Sequence, residues 1–358
     1  MNSNLVLTEQ QLVRLDEAIA EQKKPQILLF RILGPQLQKL FVHWFDVTEV
    51  PKLLLHGNPH LDNYARTHNG AGLVDFDRSR IGPSLWDLMR ALTSLTFWSD
   101  SEMIKPNQEV SRCLFDAYFL GLEDRLSYWE TPDFLRQIRP KKFQMSPRDY
   151  LKGGKKWVKK VQQNLVDPDE AFYAGLYESF VNTQRSNSLQ YWDLAEAAEV
   201  SGSMGKKHYV YHLHSLVKTR EPILLDIKET YSEEDNEFFH NPFEQEGERM
   251  VTASRIYSPG LEERISYCRF EDNDYWVRQI PSFSVKVPVG LNQDQSLQLA
   301  FAIGLQLGRA HRIVDEIYSD GHLKERLQEA SVDRYSEILQ VAEAMNEAVM
   351  SCYKMYRS

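Results

Sequence analysis

The sequence predicts a two-lobed α+β fold, with a five-stranded antiparallel sheet in one lobe and a larger helical lobe beside it. Three observations lead there: helical periodicity over most of residues 1–194, period-two alternation from about 195 to 282, and long helical patterns again over 283–358. A chain of 358 residues suffices for two domains or one two-lobed domain. Its 42% hydrophobic and 11% aromatic content is that of a folded globule. Cys113, Cys268 and Cys352 are odd in number and widely spaced, giving neither a disulfide framework nor a zinc pattern, and pointing to a reducing compartment. The first residues lack a basic segment followed by an apolar core, and no apolar run reaches the roughly 18 residues of a membrane span. A cytoplasmic location without a membrane partner is the expectation. A net charge of −9 argues against nucleic acid as a partner of the whole surface.

The elements follow in order. Thr8-Glu9-Gln10-Gln11 has capping-box form, and Leu12, Leu15 and Ile19 share one helical face behind it. An apolar stretch from Ile27 to Trp44 leads into the loop His56-Gly57-Asn58-Pro59-His60-Leu61-Asp62-Asn63. Gly72-Leu73-Val74 reads as a short strand before Asp75-Phe76-Asp77, and Gly82-Pro83-Ser84 as a break before helices at about 85–97 and 110–126. From Arg136 to Lys160 the chain holds ten Lys or Arg and one acid, Asp149, which is either a solvated helix face or a docking surface for an anionic ligand. A strand before Ser201, then Lys207–Val217 and Ile223–Lys228, begin the strand-rich part. Asn241-Pro242 open a helical stretch to about Tyr257, and strands Arg264–Phe270 and Tyr275–Ile280 flank the turn Glu271–Asp274, for an order β-β-β-α-β-β. Gly304 and Gly308 lie one turn apart in the helix 297–312, a mark of close packing. The last helix aligns Tyr335, Ile338, Leu339, Ala342, Met345, Val349 and Cys352.

Two constellations carry chemistry. An Asn closing a short His-containing loop, Asn63, followed by an Asp after an apolar strand, Asp75, places two oxygen ligands as phosphoryl transfer needs them around a nucleotide-bridging Mg²⁺. Strand alternation would point Asp75 and Asp77 the same way, both toward metal, with turn capping as the other reading. Asn58 stands where such a loop carries an Asp to accept the substrate hydroxyl's proton, and an amide cannot do this. Asp62 is the nearest carboxylate that could replace it. Gly202, Ser203 and Gly205 lie between two strands, where backbone N–H groups can approach phosphate oxygens, although a plain hairpin turn reads equally well. Lys228 ends the third strand on the face of Leu224 and Asp226, and can reach a nucleotide phosphate if a helix carboxylate, Glu246 or Glu248, holds it; a solvent-facing lysine is the alternative. His56 and His60 lack a third ligand at metal spacing and read as loop histidines bonded to backbone. Asp87 reads as an anchor for the loop's backbone.

These residues resemble the aminoglycoside phosphotransferase branch of the protein kinase-like superfamily: Gly57 to Asn63, Val74 to Asp77, and Gly82-Pro83-Ser84-Leu85-Trp86-Asp87-Leu88. The likeness is closer, and nearly chain-long, to an uncharacterised bacterial family, domain of unknown function 2252, through Gly202 to Gly205, Lys228-Glu229, Gly247-Glu248-Arg249, Val277-Arg278-Gln279 and Leu307 to His311. The chain departs at Asn58, where Asp is usual, and at Val74, where Asn is usual. The metal loop precedes the phosphate-gripping part, so the resemblance implies a circularly permuted kinase-like fold: a helical lobe 1–194, a β-rich nucleotide lobe 195–282, and helices 283–358 packing back on the first. It implies Asn63, Asp75 and Asp77 on metal, Gly202, Ser203, Gly205, Lys228 and Glu248 on nucleotide, and Asn58 and Asp62 at the catalytic position.

Three functions follow. The first is an ATP- and Mg²⁺-dependent transferase acting on an unidentified small molecule or protein. The second is a nucleotide-binding pseudokinase that regulates a partner. The third is an interaction protein using residues 136–160.

Overall fold

The structure, a computed structural model, describes residues 5–20, 25–99, 105–123, 131–140, 161–184, 189, 191–201, 207–218, 220–230, 232–318, 322–331 and 334–357. The first part is helical: α1 (Glu9–Ala20), α2 (Pro25–Ile32) and α3 (Gly34–Trp44), then α4 (Leu85–Trp98), α5 (Gln108–Glu123) and the short α6 (Asp133–Gln137). The capping box forms as its residues dictate, with Thr8 N donating to Gln11 Oε1 at 2.9 Å and Gln11 N to Thr8 Oγ1 at 3.3 Å.

Between α3 and α4 lie four short strands that hold the polar loops: β1 (Lys52–Leu55), β2 (Tyr64–Thr67), β3 (Gly70–Leu73) and β4 (Arg80–Pro83). β1 pairs with β4, and β2 with β3. Gly82-Pro83 is therefore the end of a strand, where a break was expected; Pro is tolerated because the two-stranded ribbon has open edges. Asp75 to Asp77 fall outside the strands, and Asp75 has φ 70°, so the expected alternation of the two carboxylates along a strand is not what brings them together.

The large sheet has six strands in the order β5-β6-β7-β8-β10-β9, rather than the expected five. The predicted strands are β6 (Trp192–Ser201), β7 (Lys207–Ser215), β8 (Ile223–Glu229), β9 (Ser266–Phe270) and β10 (Asn273–Gln279); the sixth is the edge pair β5 (Leu165–Val166). Two residues carry no period that a sequence reading can detect. Registered pairs are antiparallel throughout, with His208 opposite Lys228, and Lys228 opposite Trp276. One face, with Tyr209, Tyr211, Leu225, Ile227, Tyr275 and Val277, packs under α7 (Ala171–Thr183). The other face carries Ala198, Val200, His208, Val210, Asp226, Lys228, Trp276 and Arg278.

After β8 comes α8 (Glu246–Tyr257), four residues later than Asn241-Pro242 suggests, because Asp274 Oδ2 caps the Glu246 N–H at 2.9 Å. β11 (Val285–Lys286) returns to pair with β2, and α9 (Gln293–Tyr318), α10 (Leu323–Ser331) and α11 (Tyr335–Arg357) follow. A Cβ at Gly304 would lie 2.3 Å from Leu114 O and one at Gly308 2.1 Å from Tyr118 O, so the two glycines let α9 touch the backbone of α5. One apolar core joins α2–α5 with α9 and α11, and includes Phe41, Trp86, Leu92, Ile303, Met345 and Val349. No helix among the described residues is long and apolar enough to cross a membrane.

Candidate phosphotransferase site

A single buried helix builds the loop after β1. On α4, Trp86, Arg90 and Ser94 recur every four residues and share a face with Asp87. Trp86 Nε1 donates to Gly57 O at 2.8 Å, and Ser94 Oγ accepts from Leu61 N at 2.9 Å. The Asp87 carboxylate accepts from His56 N at 2.8 Å and Gly57 N at 2.9 Å, the anchoring that its place in the sequence suggests. Gly57 has φ 80°, and a Cβ there would lie 1.8 Å from Arg78 O, so only glycine fits. Asp87 also meets Tyr257 Oη at 3.2 Å and His311 Nε2 at 3.3 Å, and Tyr118 bonds His311 Nδ1 at 2.7 Å. α5, α8 and α9 thus converge on the carboxylate that holds the loop.

Asn58 and Asn63 close the loop on each other, Asn63 Nδ2 donating to Asn58 O at 3.1 Å, and Asn63 O accepting Val74 N at 2.7 Å. Asn63 is therefore buried directly beside Asp75. The His56 ring lies tilted against Phe76, centroids 4.7 Å apart, and its Nδ1 accepts Asn58 N at 3.3 Å, in keeping with its reading as a loop histidine. Asp62, the expected replacement base, points elsewhere: its carboxylate pairs with Arg31 at 2.7 Å.

Lys228 arrives from β8. It ion-pairs with Asp77 and lies 3.7 Å from Asp75. The expected partner, a glutamate of the following helix, is corrected: Glu246 pairs with Arg249 at 2.7 Å, and Glu248 makes no ion pair among the described residues. The helix reaches the metal-type loop through Arg249, whose guanidinium donates to Ser79 O, to Ser79 Oγ at 3.1 Å and to Asp77 O at 3.0 Å. Lys228 thus has two loop carboxylates in reach, while Glu246 of α8 is taken by its own arginine.

Charges on the two aspartates diverge. Withdrawal from water raises the Asp75 pKa, but Lys228, Arg278, Lys286 and Arg31 together outweigh this and hold it at about 2. Burial and the neighbouring Asp75 charge push Asp77 up, against Lys228 and Arg249. Burial lowers the Lys228 pKa, and Asp77 and Asp75 more than reverse it, so the lysine stays cationic. Burial, then Arg78 and Arg31, pull Arg90 well below the ordinary guanidinium value.

Gly202, Ser203 and Gly205 lie outside the described residues, although the strands they join are in register at Ser201 and Lys207. Of the basic stretch 136–160, residues 141–160 likewise lie outside them. Sequence reading missed Arg31, Arg90 and Lys286, which ring the loop but stand in no motif. Arg249 was within reach of it, in Gly247-Glu248-Arg249.

Residues 5–119, which hold both polar loops, match the phosphotransferase enzyme family APH, and the class this supports is a kinase-like phosphotransferase. Residues 151–358 match the family described as an uncharacterized protein conserved in bacteria, DUF2252, and the chain belongs to that family. Nothing among curated proteins or solved structures matches the chain.

Proposed function

We infer that the chain is an ATP- and Mg²⁺-dependent transferase of kinase-like, circularly permuted architecture. The observation that carries this reading is the meeting of Lys228 with Asp77 and Asp75 beside the loop that ends in Asn63. In this reading residues 1–194 carry the catalytic-type and metal loops, 195–282 grip the nucleotide, and 283–358 pack back on the first part.

The donor set suits a divalent cation. All three candidate ligands offer oxygen, and Asp77 Oδ1 is buried with no hydrogen-bond partner among the described residues. Asn63 spends its N–H₂ on Asn58 O, leaving its carbonyl oxygen free for a ligand. No three His, Cys, Asp or Glu side chains converge among the described residues, which fits Mg²⁺ held by one or two carboxylates together with phosphate oxygens. When bound, Mg²⁺ neutralises phosphate charge. Asn63, Asp75 and Asp77 would hold it. Lys228 would exchange its carboxylate contacts for a phosphate oxygen. The apolar group Ala198, Val200 and Val210, packed with Val161 and Ile280, lies on the same sheet face as Lys228 and suits a base. Gly202, Ser203, Gly205 and Glu248 are proposed nucleotide contacts on sequence grounds alone.

A second reading, a nucleotide-binding pseudokinase with a regulatory role, is favoured by one observation: Asn58 is an amide, and Asp62 is paired with Arg31. The interaction-protein reading rests on residues 136–160. Thermal unfolding titrated with ATP and Mg²⁺ tests nucleotide binding, since a ligand of the native state raises stability by mass action. No shift over a millimolar range would leave the interaction protein. A shift accompanied by no ATP turnover, across a broad panel of acceptors, would favour the pseudokinase.

A further inference from the structure

Two cations, Arg90 and Lys286, lie against the loop that carries Asn58. Arg90 is fully buried, with its guanidinium carbon 3.7 Å from the Phe30 ring centroid and Nη2 on Phe30 O at 2.9 Å. Its Nε donates to Asn58 Oδ1 at 2.9 Å, and its Nη1 has no partner among the described residues. Lys286, exposed on β11, donates to the backbone oxygen of Asp62 at 2.6 Å. The neighbouring Arg31 and Arg78 are matched by Asp62 and Glu233, and Lys286 feels the Asp62 and Asp75 carboxylates, which leaves Arg90 as the buried guanidinium with no carboxylate against it.

Burying a guanidinium without an anion is costly, and position 58 is where a carboxylate would relieve it. The chain keeps an amide there. Because Arg90 can only donate, it fixes Asn58 with Oδ1 toward the buried guanidinium. Asn58 Nδ2 makes no hydrogen bond to the described residues and stays open to solvent. Position 58 therefore offers an N–H₂ donor beside positive charge, and no proton acceptor.

Building on the transferase reading above, we propose that the acceptor is an oxyanion, a carboxylate or a phosphate monoester, held by Asn58 Nδ2 and Lys286 Nζ. Such a nucleophile arrives already deprotonated. Its oxygen supplies the electron pair of the new P–O bond to the nucleoside triphosphate, the P–O bond to the leaving phosphate breaks, and the leaving group departs with that pair. No proton moves, and a base at position 58 is unnecessary. Arg90 acts here as a positioning residue through Asn58.

The test is thermal unfolding of the full chain with Mg²⁺ and a non-hydrolysable ATP analogue, titrated separately with inorganic phosphate and with succinate, ionic strength being held constant with chloride. Wild type should show a saturable rise in midpoint with at least one anion, and which one identifies the source. Asn58→Asp, which keeps the volume and gains an ion pair with Arg90, and Lys286→Gln, at an exposed position, should each weaken half-saturation roughly tenfold or more. No saturable rise in wild type, or an equal rise in both variants, overturns the proposal. Faster transfer to a neutral alcohol by Asn58→Asp than by wild type overturns it too. Titration with the ATP analogue alone reads the transferase assignment, so its failure is seen separately from failure of the anion site.

Discussion

Lys228 and Asp77 stand 151 positions apart in sequence and ion-pair between the large sheet and the loop after β3. Together with Asp75, 3.7 Å from the lysine, the pair sets one cation and two carboxylates where triphosphate and metal are proposed to enter. A nucleotide must therefore displace this internal bridge, and side chains on either side of it should affect phosphate and metal separately.

Lys228→Ala should weaken ATP roughly tenfold or more while leaving adenosine nearly unchanged, since a charge-assisted contact to phosphate has no counterpart in the nucleoside. Calorimetric titrations with both ligands check this. Equal losses would mean that the lysine supports the fold through Asp75 and Asp77 and does not touch phosphate.

Asp75→Ala should remove the Mg²⁺ dependence of ATP binding, because the metal loses its most acidic candidate ligand. Isothermal titration with and without Mg²⁺ reads the effect. An unchanged difference between the two conditions would transfer the metal role to Asp77 and Asn63.

Gly308→Ala should destabilise the fold by about 1–3 kcal/mol, because the new methyl meets Tyr118 O where α9 and α5 touch. Urea unfolding, with its slope unchanged and its midpoint lowered, is the expected result. Stability equal to wild type would show that the helices separate at little cost.

Tyr257 carries a stability-versus-pH signature. Burial, then the nearby Asp87 and Tyr118, raise its pKa well above the ordinary 10.0. A group whose folded pKa is raised contributes stability that is fully present below the unfolded value, and loses it as pH rises through 10 and beyond. The unfolded chain alone sheds that proton, at about 1.4 kcal/mol per pH unit. Tyr257→Phe should reduce the fall in urea midpoint between pH 9.5 and 11 by that share. Identical slopes in the two proteins would place the hydroxyl in contact with water.

The local features of this chain were legible because they depend on short-range chemistry. The capping box at Thr8, the alternation of Lys207–Ser215 and Ile223–Glu229, the helix glycines 304 and 308, and the spacing from Asn63 to Asp75 are each properties of a few neighbouring residues. Asp87 was readable as an anchor because an acid at the head of an apolar helix must find donors when buried. Tertiary structure decided the partners. Glu246 precedes Arg249 by three residues, so that pair is local to one helix, whereas only the fold carries Lys228 across to Asp77 and Asp75. The sixth strand and β11 are two residues long, too short for any period, and exist because a neighbouring edge supplies their hydrogen bonds. Arg90 and Lys286 stand 196 positions apart, and no motif joins them; they reach the same loop, at Asn58 and at Asp62, because α4 underlies it and β11 is zipped onto the strand that follows it. Spacing in sequence fixes which groups share a turn or a face, whereas electrostatic complementarity is settled by whichever charges the packed core leaves within reach of one another.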